Sequence, residues 1–246
     1  MVRGFADQFG VQIINYFGSN EGTSLYGNDI DLPDPALRAR VFVRPDAPGF
    51  DWSVSTTRKL RTRLVDTETG EDIHQLGRVG ELRLIGPGVF SSYYGAPDAT
   101  ARAFDEEGYF RTGDLFELNG DRLQYYRYVG RSKDLVIRGG MNISAEEIEG
   151  LLLTCPGVLE VAVVGVPDAI MGEKVCACVV PQEGHTVTLE DIARHLRDGK
   201  HVAVYKLPEY LLSLPTLPRN PVGKVLKATL RAQARAHYAP SWGDPA

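Results

Sequence analysis

Cysteine is scarce, with three in 246 residues. That is too few for a disulfide framework. Cys176 and Cys178 lie two apart in an apolar run, where strand alternation buries both on one face, an arrangement that argues against zinc. No apolar run approaches the ~20 residues needed to cross a bilayer. The N-terminus sets Arg3 and Asp7 close together with no uninterrupted apolar core, so the expected location is a reducing cytoplasm. An excess of basic residues is missing too: 27 Lys plus Arg face 32 Asp plus Glu, a net charge of -5. This argues against the basic face that nonspecific nucleic-acid binding needs. Internal repeats and low-complexity tracts are also absent.

What remains is a globular composition, 43% hydrophobic and 24% charged, enough for two modest domains. Val11 to Phe17 reads as a buried strand ending at Gly18, and Asp, Pro, Gly and Asn then mark a long loop from Gly27 to Gly49. Arg61 to Asp66 and Gly80 to Ile85 read as strands joined around Glu68-Thr-Gly70. Pro97 to Phe104 predicts a short helix with Asp98 in its first turn. Asn119-Gly120 predicts a tight hairpin, because both residues tolerate positive φ.

After Arg131 helical and strand patterns alternate. Ser144-Ala-Glu-Glu147 is a capping box ahead of Ile148, Leu151 and Leu152. Val158 to Val166 and Lys174 to Val180 read as paired strands. Thr188-Leu-Glu-Asp191 opens a second helix with Ile192 and Leu196 inward, and Leu226 to His237 a third. The expected fold class is α/β of the α+β kind: a β-rich subdomain over residues 1–131, then a small α/β domain over residues 132–246, divided at Arg131–Asp134.

Three stretches carry candidate chemistry. In Thr112-Gly113-Asp114 the carboxylate can accept from both hydroxyls of a ribose diol while the glycine lets the backbone approach closely; the plain alternative is a turn with a capping Asp. Phe17-Gly-Ser-Asn-Glu21 offers an aromatic face for an adenine and a carboxylate for Mg²⁺ against phosphate. By itself an aromatic at a strand end is more often core. Lys224 follows a glycine in a polar, Pro-punctuated loop, which can present a point charge to an oxyanion without a stiff element behind it; most exposed lysines are simply solvated.

Taken together, Phe17–Glu21, Gly80-Glu-Leu82, Tyr109–Asp114, Gly130–Glu149 and Gly223–Lys227 resemble the acyl-adenylate-forming superfamily of acyl- and aryl-CoA synthetases, peptide-synthetase adenylation domains and beetle luciferases. The resemblance covers nearly the whole chain and is most specific from Gly130 to Glu149. It implies a two-step ligase in which a carboxylate attacks the α-phosphate of ATP to give an acyl-adenylate and pyrophosphate, and a thiol then displaces AMP. Residues 1–131 would be the C-terminal part of the large AMP-binding domain, and residues 132–246 the small mobile domain. Phe17 would stack on adenine beside Gly18 and Asn20, the last standing where many relatives have Thr. Glu21 would ligand Mg²⁺, Asp114 with Arg131 would hold the ribose hydroxyls, and Lys224 would offset charge in the first step. Lys133 matches the hinge, and Gly139 and Gly140 the loop that enters for the thiol step.

Gly139-Gly-Met-Asn-Ile143 looks more like stand-alone CoA ligases than peptide-synthetase domains, so coenzyme A is the expected thiol. The segment from Asp34 to Lys59 fits the family pattern poorly. No Gly/Ser/Thr-rich loop ending in Lys lies upstream, and with it most of the acyl pocket is missing, so fatty, aryl and other carboxylates are not separated. The expectation is therefore a C-terminal portion, inactive alone, completed by an N-terminal portion or arranged as a homo-oligomer. The alternative is a non-catalytic remnant or split subunit that binds nucleotide or a partner chain.

Overall fold

The computed structural model describes residues 2–22 and 24–238 and divides the chain into two compact units, Met1–Ser132 and Lys133–Ala246. In the first unit, helix α1 (Val2–Phe9) precedes a two-stranded ribbon of β1 (Asn15–Gly18) and β2 (Ser24–Gly27). A short helix α2 (Pro35–Arg38) leads to β3 (Phe42–Val43). The remaining strands are β4 (Arg61–Val65), β5 (Val79–Ile85), β6 (Phe110–Asn119) and β7 (Tyr125–Arg131), with helix α3 (Pro97–Ala103) between β5 and β6. The main sheet is antiparallel in the order β3-β7-β6-β5-β4. One face packs Leu64, Leu82, Leu84, Phe116, Leu118 and Tyr126 into an apolar core.

Three expectations need correction here. The strand read over Val11 to Phe17 shrinks to Asn15–Gly18: Val11 and Ile14 are exposed, the Val11 N–H turns back to the Phe5 carbonyl at 3.3 Å, and a helix precedes it. The stretch from Gly27 to Gly49 is not simply loop. Asp34 caps α2 by accepting from the Ala36 N–H, Pro35 takes the first turn, and Leu32, Val41, Val43, Ala47 and Trp52 form a second small core. Within it Arg38 is fully buried, its guanidinium donating to the Leu32 carbonyl at 2.8 Å and to Gln12 Oε1 at 2.5 Å. Finally, the β6–β7 hairpin is not a two-residue turn. Asn119 pairs with Tyr125 across a connection in which Leu123 sits at φ 56°, closed by the Gln124 side chain on the Arg122 N–H and on Asp121.

The second unit is a sheet covered on both faces. Its strands are β8 (Leu135–Arg138), β9 (Met141–Ser144), β10 (Val158–Asp168), β11 (Gly172–Pro181) and β12 (Tyr210–Ser213), with the order β10-β11-β8-β9 and β12 parallel to β11. Helices α4 (Ala145–Leu152) and α5 (Leu189–Arg194) press Ile148, Leu152, Ile192 and Leu196 onto Val163, Val175, Ala177 and Val179. Helix α6 (Lys227–Tyr238) presses Leu230 and Ala234 onto the opposite set, Ala162, Val164, Cys176 and Cys178. Covering both faces is why β10 and β11 read as continuous apolar runs rather than alternating ones. Ser144 caps α4 by accepting from the Glu147 N–H, and Thr188 forms a reciprocal capping box with Asp191. Cys176 and Cys178 share one buried face as the alternation predicted. A hydrogen bond between them and burial both push the Cys176 thiol far above its ordinary pKa, so it stays protonated.

Candidate nucleotide site

Strands β5 and β6 fall out of step at the centre of the first unit. Glu81 pairs with Leu115 and Arg83 with Arg111, so a single residue on β5, Leu82, faces the three residues Thr112, Gly113 and Asp114 on β6. Such a bulge removes backbone groups from the ladder, and each must find another partner. The Thr112 hydroxyl donates to the Leu82 carbonyl at 2.7 Å and accepts from the Asp114 N–H at 3.0 Å. The Gly113 N–H donates to Glu81 Oε1 at 3.1 Å. Gly113 has φ 69° with open space where a Cβ would stand, so its constraint is the left-handed backbone, not crowding.

The bulge places Asp114, 3% exposed, opposite Arg131 on β7 in the hairpin register. Arg131 Nε lies 3.1 Å from Asp114 Oδ1, and the guanidinium stays partly open to solvent. Both residues line a cavity of about 570 Å³ whose wall also includes Gly18, Asn20, Glu21 and Arg111. Glu21 Oε1 accepts from the Tyr93 hydroxyl at 3.2 Å. Burial, and then the Glu21 charge, push the Tyr93 phenol above its ordinary pKa.

Phe17, expected as an adenine platform, is not on this wall. Its half-buried ring sits 5.0 Å from that of Phe116, edge-on, and 5.5 Å from that of Tyr128. The aromatic core claims the ring, and the backbone from Gly18 to Glu21 forms the wall instead. Sequence reasoning missed Tyr93, Arg102 and Arg111, which also line the cavity. For Glu81 the signal lies in the sequence itself, in Gly80-Glu-Leu82, although that tripeptide alone does not name a partner for the carboxylate.

A second chain of charge fixes the approach to the bulge. Asp105 accepts from the Glu107 and Tyr109 N–H groups through Oδ1 and from Arg63 and Arg83 through Oδ2. Burial pushes its carboxyl up, but the Tyr109 N–H and the two guanidinium groups outweigh this and hold it below the usual carboxylate range. A depressed pKa means stability that is present above the unfolded value near ~3.9 and is lost as pH falls through the folded one. Asp105→Asn is therefore expected to lower unfolding free energy by about 2–3 kcal/mol at pH 7. The gap from wild type should begin to shrink below about pH 4, where the unfolded carboxyl protonates, and go on shrinking as pH falls through the depressed folded value. Urea unfolding at several pH values checks both; a gap independent of pH would rule out an ionised Asp105 as its source.

In the second unit, Lys224 is exposed at the tip of a closed turn. The expected loop with nothing stiff behind it is corrected: Asn220 Oδ1 accepts from the Lys224 N–H at 2.8 Å, the Asn220 N–H donates to the Lys224 carbonyl, and Arg219 holds the Gly223 carbonyl. Lys174, Lys206 and Lys227 are each paired with a carboxylate, whereas among the described residues no carboxylate lies within ion-pair distance of Lys224. Lys133 is exposed at the division between the units, and its carbonyl accepts from Arg231 on α6 at 2.8 Å. Gly139 and Gly140, at φ 56° and 77°, make the two-residue turn between β8 and β9.

Residues 147–224 match the model of the AMP-binding enzyme C-terminal domain. The chain is 44% identical to the 2-hydroxy-7-methoxy-5-methyl-1-naphthoate–CoA ligase of Streptomyces carzinostaticus, a match covering 95% of this chain and 39% of that protein. It is 34% identical to the medium-chain fatty-acid–CoA ligase of Escherichia coli K12, over 91% of this chain and 37% of that one. The ATP-bound crystal structure of MatB from Rhodopseudomonas palustris superposes with a TM-score of 0.73 at 32% identity, over 96% of this chain and 43% of that one. The chain belongs to the acyl-adenylate-forming superfamily. It matches the C-terminal portion of that superfamily and spans about two fifths of the length of these relatives. The mixed α/β architecture is that of adenylating enzymes. Among the described residues, no helix is long and apolar enough to cross a membrane.

Proposed function

We propose that the chain carries the ribose site and the mobile lysine of an ATP-dependent acid–thiol ligase. In the first step a carboxylate oxygen bonds to the α-phosphorus of ATP as the bond to pyrophosphate breaks. In the second the thiol of coenzyme A attacks the acyl carbon, loses its proton and expels AMP. The observation that carries the reading is the buried Asp114, paired with Arg131 on the wall of a cavity shared with Glu21. One carboxylate in a fixed position suits the two hydroxyls of a ribose. Arg102 and Arg111 add positive charge suited to a phosphate-bearing ligand.

Mg²⁺ fits the donor set. Glu21 presents one hard carboxylate to the cavity, and among the described residues no three acidic, His or Cys side chains gather into a cage. That is the pattern of an ion held by one carboxylate and substrate phosphates, whose charge it offsets when bound. Lys224, with no carboxylate in ion-pair distance among the described residues, would neutralise charge on the attacking carboxylate and the α-phosphate. Lys133 would act as the pivot, where torsional freedom matters more than reactivity. The exposed Gly139–Gly140 turn would admit the thiol. The named relatives that are CoA ligases support coenzyme A as acceptor, and three free cysteines fit a reducing cytoplasm.

Asp114→Ala should weaken ATP binding by about 1–3 kcal/mol, the scale of lost charge-assisted hydrogen bonds. Calorimetric titration with ATP checks this, and unchanged affinity would remove the ribose role. A second reading, a nucleotide- or partner-binding subunit without catalysis, is favoured by the exposed Phe5, Phe9, Val11, Ile14 and Tyr16 near the start of the chain. Carboxylate-dependent pyrophosphate release from ATP by the purified chain would dismiss that reading.

A further inference from the structure

Behind the Thr112–Asp114 bulge runs a ladder of alternating charge. Glu81 Oε1 takes the Gly113 N–H at 3.1 Å and Oε2 takes Arg83 Nε at 2.9 Å. Arg83 then reaches Asp105 at 3.2 Å, Asp105 reaches Arg63 at 2.7 Å, and Arg63 reaches Glu107 at 2.6 Å. The inner members are largely shielded: the side chains of Glu81, Arg83 and Asp105 are 12%, 9% and 4% exposed.

We propose that Glu81 is a positioning residue for nucleotide recognition, holding the left-handed turn at Gly113 that sets Asp114 against the ribose. This rests on the ribose reading of Asp114. The bulge carries Gly113 away from the β5 backbone, so the ladder cannot accept its N–H, and Glu81 Oε1 is the acceptor the sequence provides. An ion pair with Arg83 alone would leave the second oxygen free. Dividing the carboxylate between an amide and a guanidinium instead fixes its rotamer. The same ladder anchors the Glu107 and Tyr109 amides through Asp105, so both ends of the segment leading into the bulge are tied to one set of charges. Glu81 does not line the cavity, so it acts through Gly113 and not on the ligand.

The test compares binding of ATP and of 2′,3′-dideoxy-ATP to the chain. Wild type should prefer ATP by about tenfold or more, the scale of the lost hydroxyl contacts. Glu81→Ala should bring the two ligands close to parity, chiefly by weakening ATP, while dideoxy-ATP changes by less than about threefold. Glu81→Gln keeps an oxygen for the Gly113 N–H but gives up the charge shared with Arg83, and should lower the preference by about threefold. A merely structural role would weaken both nucleotides alike and leave the ratio intact, which would overturn the proposal. If Glu81→Ala does not fold, the glutamine variant decides: a wild-type ratio overturns the positioning role. A wild-type chain that does not distinguish the two nucleotides would instead overturn the ribose reading of Asp114, and the role of Glu81 with it.

Discussion

Lys224→Ala is expected to slow acyl-adenylate formation by about 10²–10³-fold while leaving thioester formation from a supplied acyl-adenylate within a few-fold of wild type. The magnitude is that of removing one fixed charge from a site where negative charge gathers on the carboxylate and α-phosphate. Two observations support this expectation. Its ammonium is exposed and has no carboxylate partner among the described residues, and its backbone is held on both sides by Asn220. The tether fixes where the side chain starts and leaves the ammonium free to reach its target, and Lys224→Arg should recover only part of the rate, since a planar fork cannot replace a compact ammonium. Carboxylate-dependent exchange of pyrophosphate into ATP reads the first half-reaction, and coenzyme A consumption with synthetic adenylate reads the second, both in the catalytically competent protein. Equal loss in both would count against a lysine that serves one step only.

The second unit was legible because its signals are local or periodic. Two polar caps, Ser144 and Thr188, each bonded within three residues, mark where α4 and α5 begin. The Val-rich runs of β10 and β11 state that both sheet faces are covered. The start of the first unit was not legible, for a physical reason. An apolar run such as Val11 to Phe17 says that burial is favourable but does not name the partner, and here Val11 and Ile14 stay exposed. Arg38 poses the opposite problem: a cation in the core needs partners, and its two terminal nitrogens find them in Gln12, 26 positions away, and the Leu32 carbonyl, neither visible in a local pattern.

The candidate site divides along the same line. Asp114 facing Arg131 follows from a hairpin that the sequence announced, even though its turn proved longer. Glu81 reaching Gly113 depends on a bulge, whose offset of two residues no periodicity encodes. Phe17 shows how chemistry and packing compete for one side chain. The motif suggested a platform for a base, whereas the bare residue reading favoured core. The rings of Phe42, Phe116 and Tyr128 close around it in agreement with the second.

That aromatic cluster carries the largest stability effect expected in the chain. Phe116 is fully buried on β6, with ring centroids of Phe17, Tyr128 and Tyr126 at 5.0, 5.3 and 6.0 Å, all tilted or edge-on. Phe116→Ala should cost about 3–5 kcal/mol: the transfer free energy of the ring, plus a cavity that a sheet hydrogen-bonded on both sides cannot collapse to fill. Phe116→Leu keeps most of the volume and should cost about 1–2 kcal/mol. The same truncation at the fully exposed Tyr94 should stay within about 0.5 kcal/mol. Denaturant titrations of the three variants check the order, and a Phe116→Ala cost below about 1 kcal/mol would mean that the cluster is not packed as described. The effect should also reach the site. Phe17, which leans on Phe116, is joined directly to Gly18 on the cavity wall, so Phe116→Leu, still folded, should weaken ATP binding more than a variant of equal cost in the second unit, such as Ile148→Val. Equal effects on ATP affinity would mean that the wall from Gly18 to Glu21 keeps its shape without the ring beneath it.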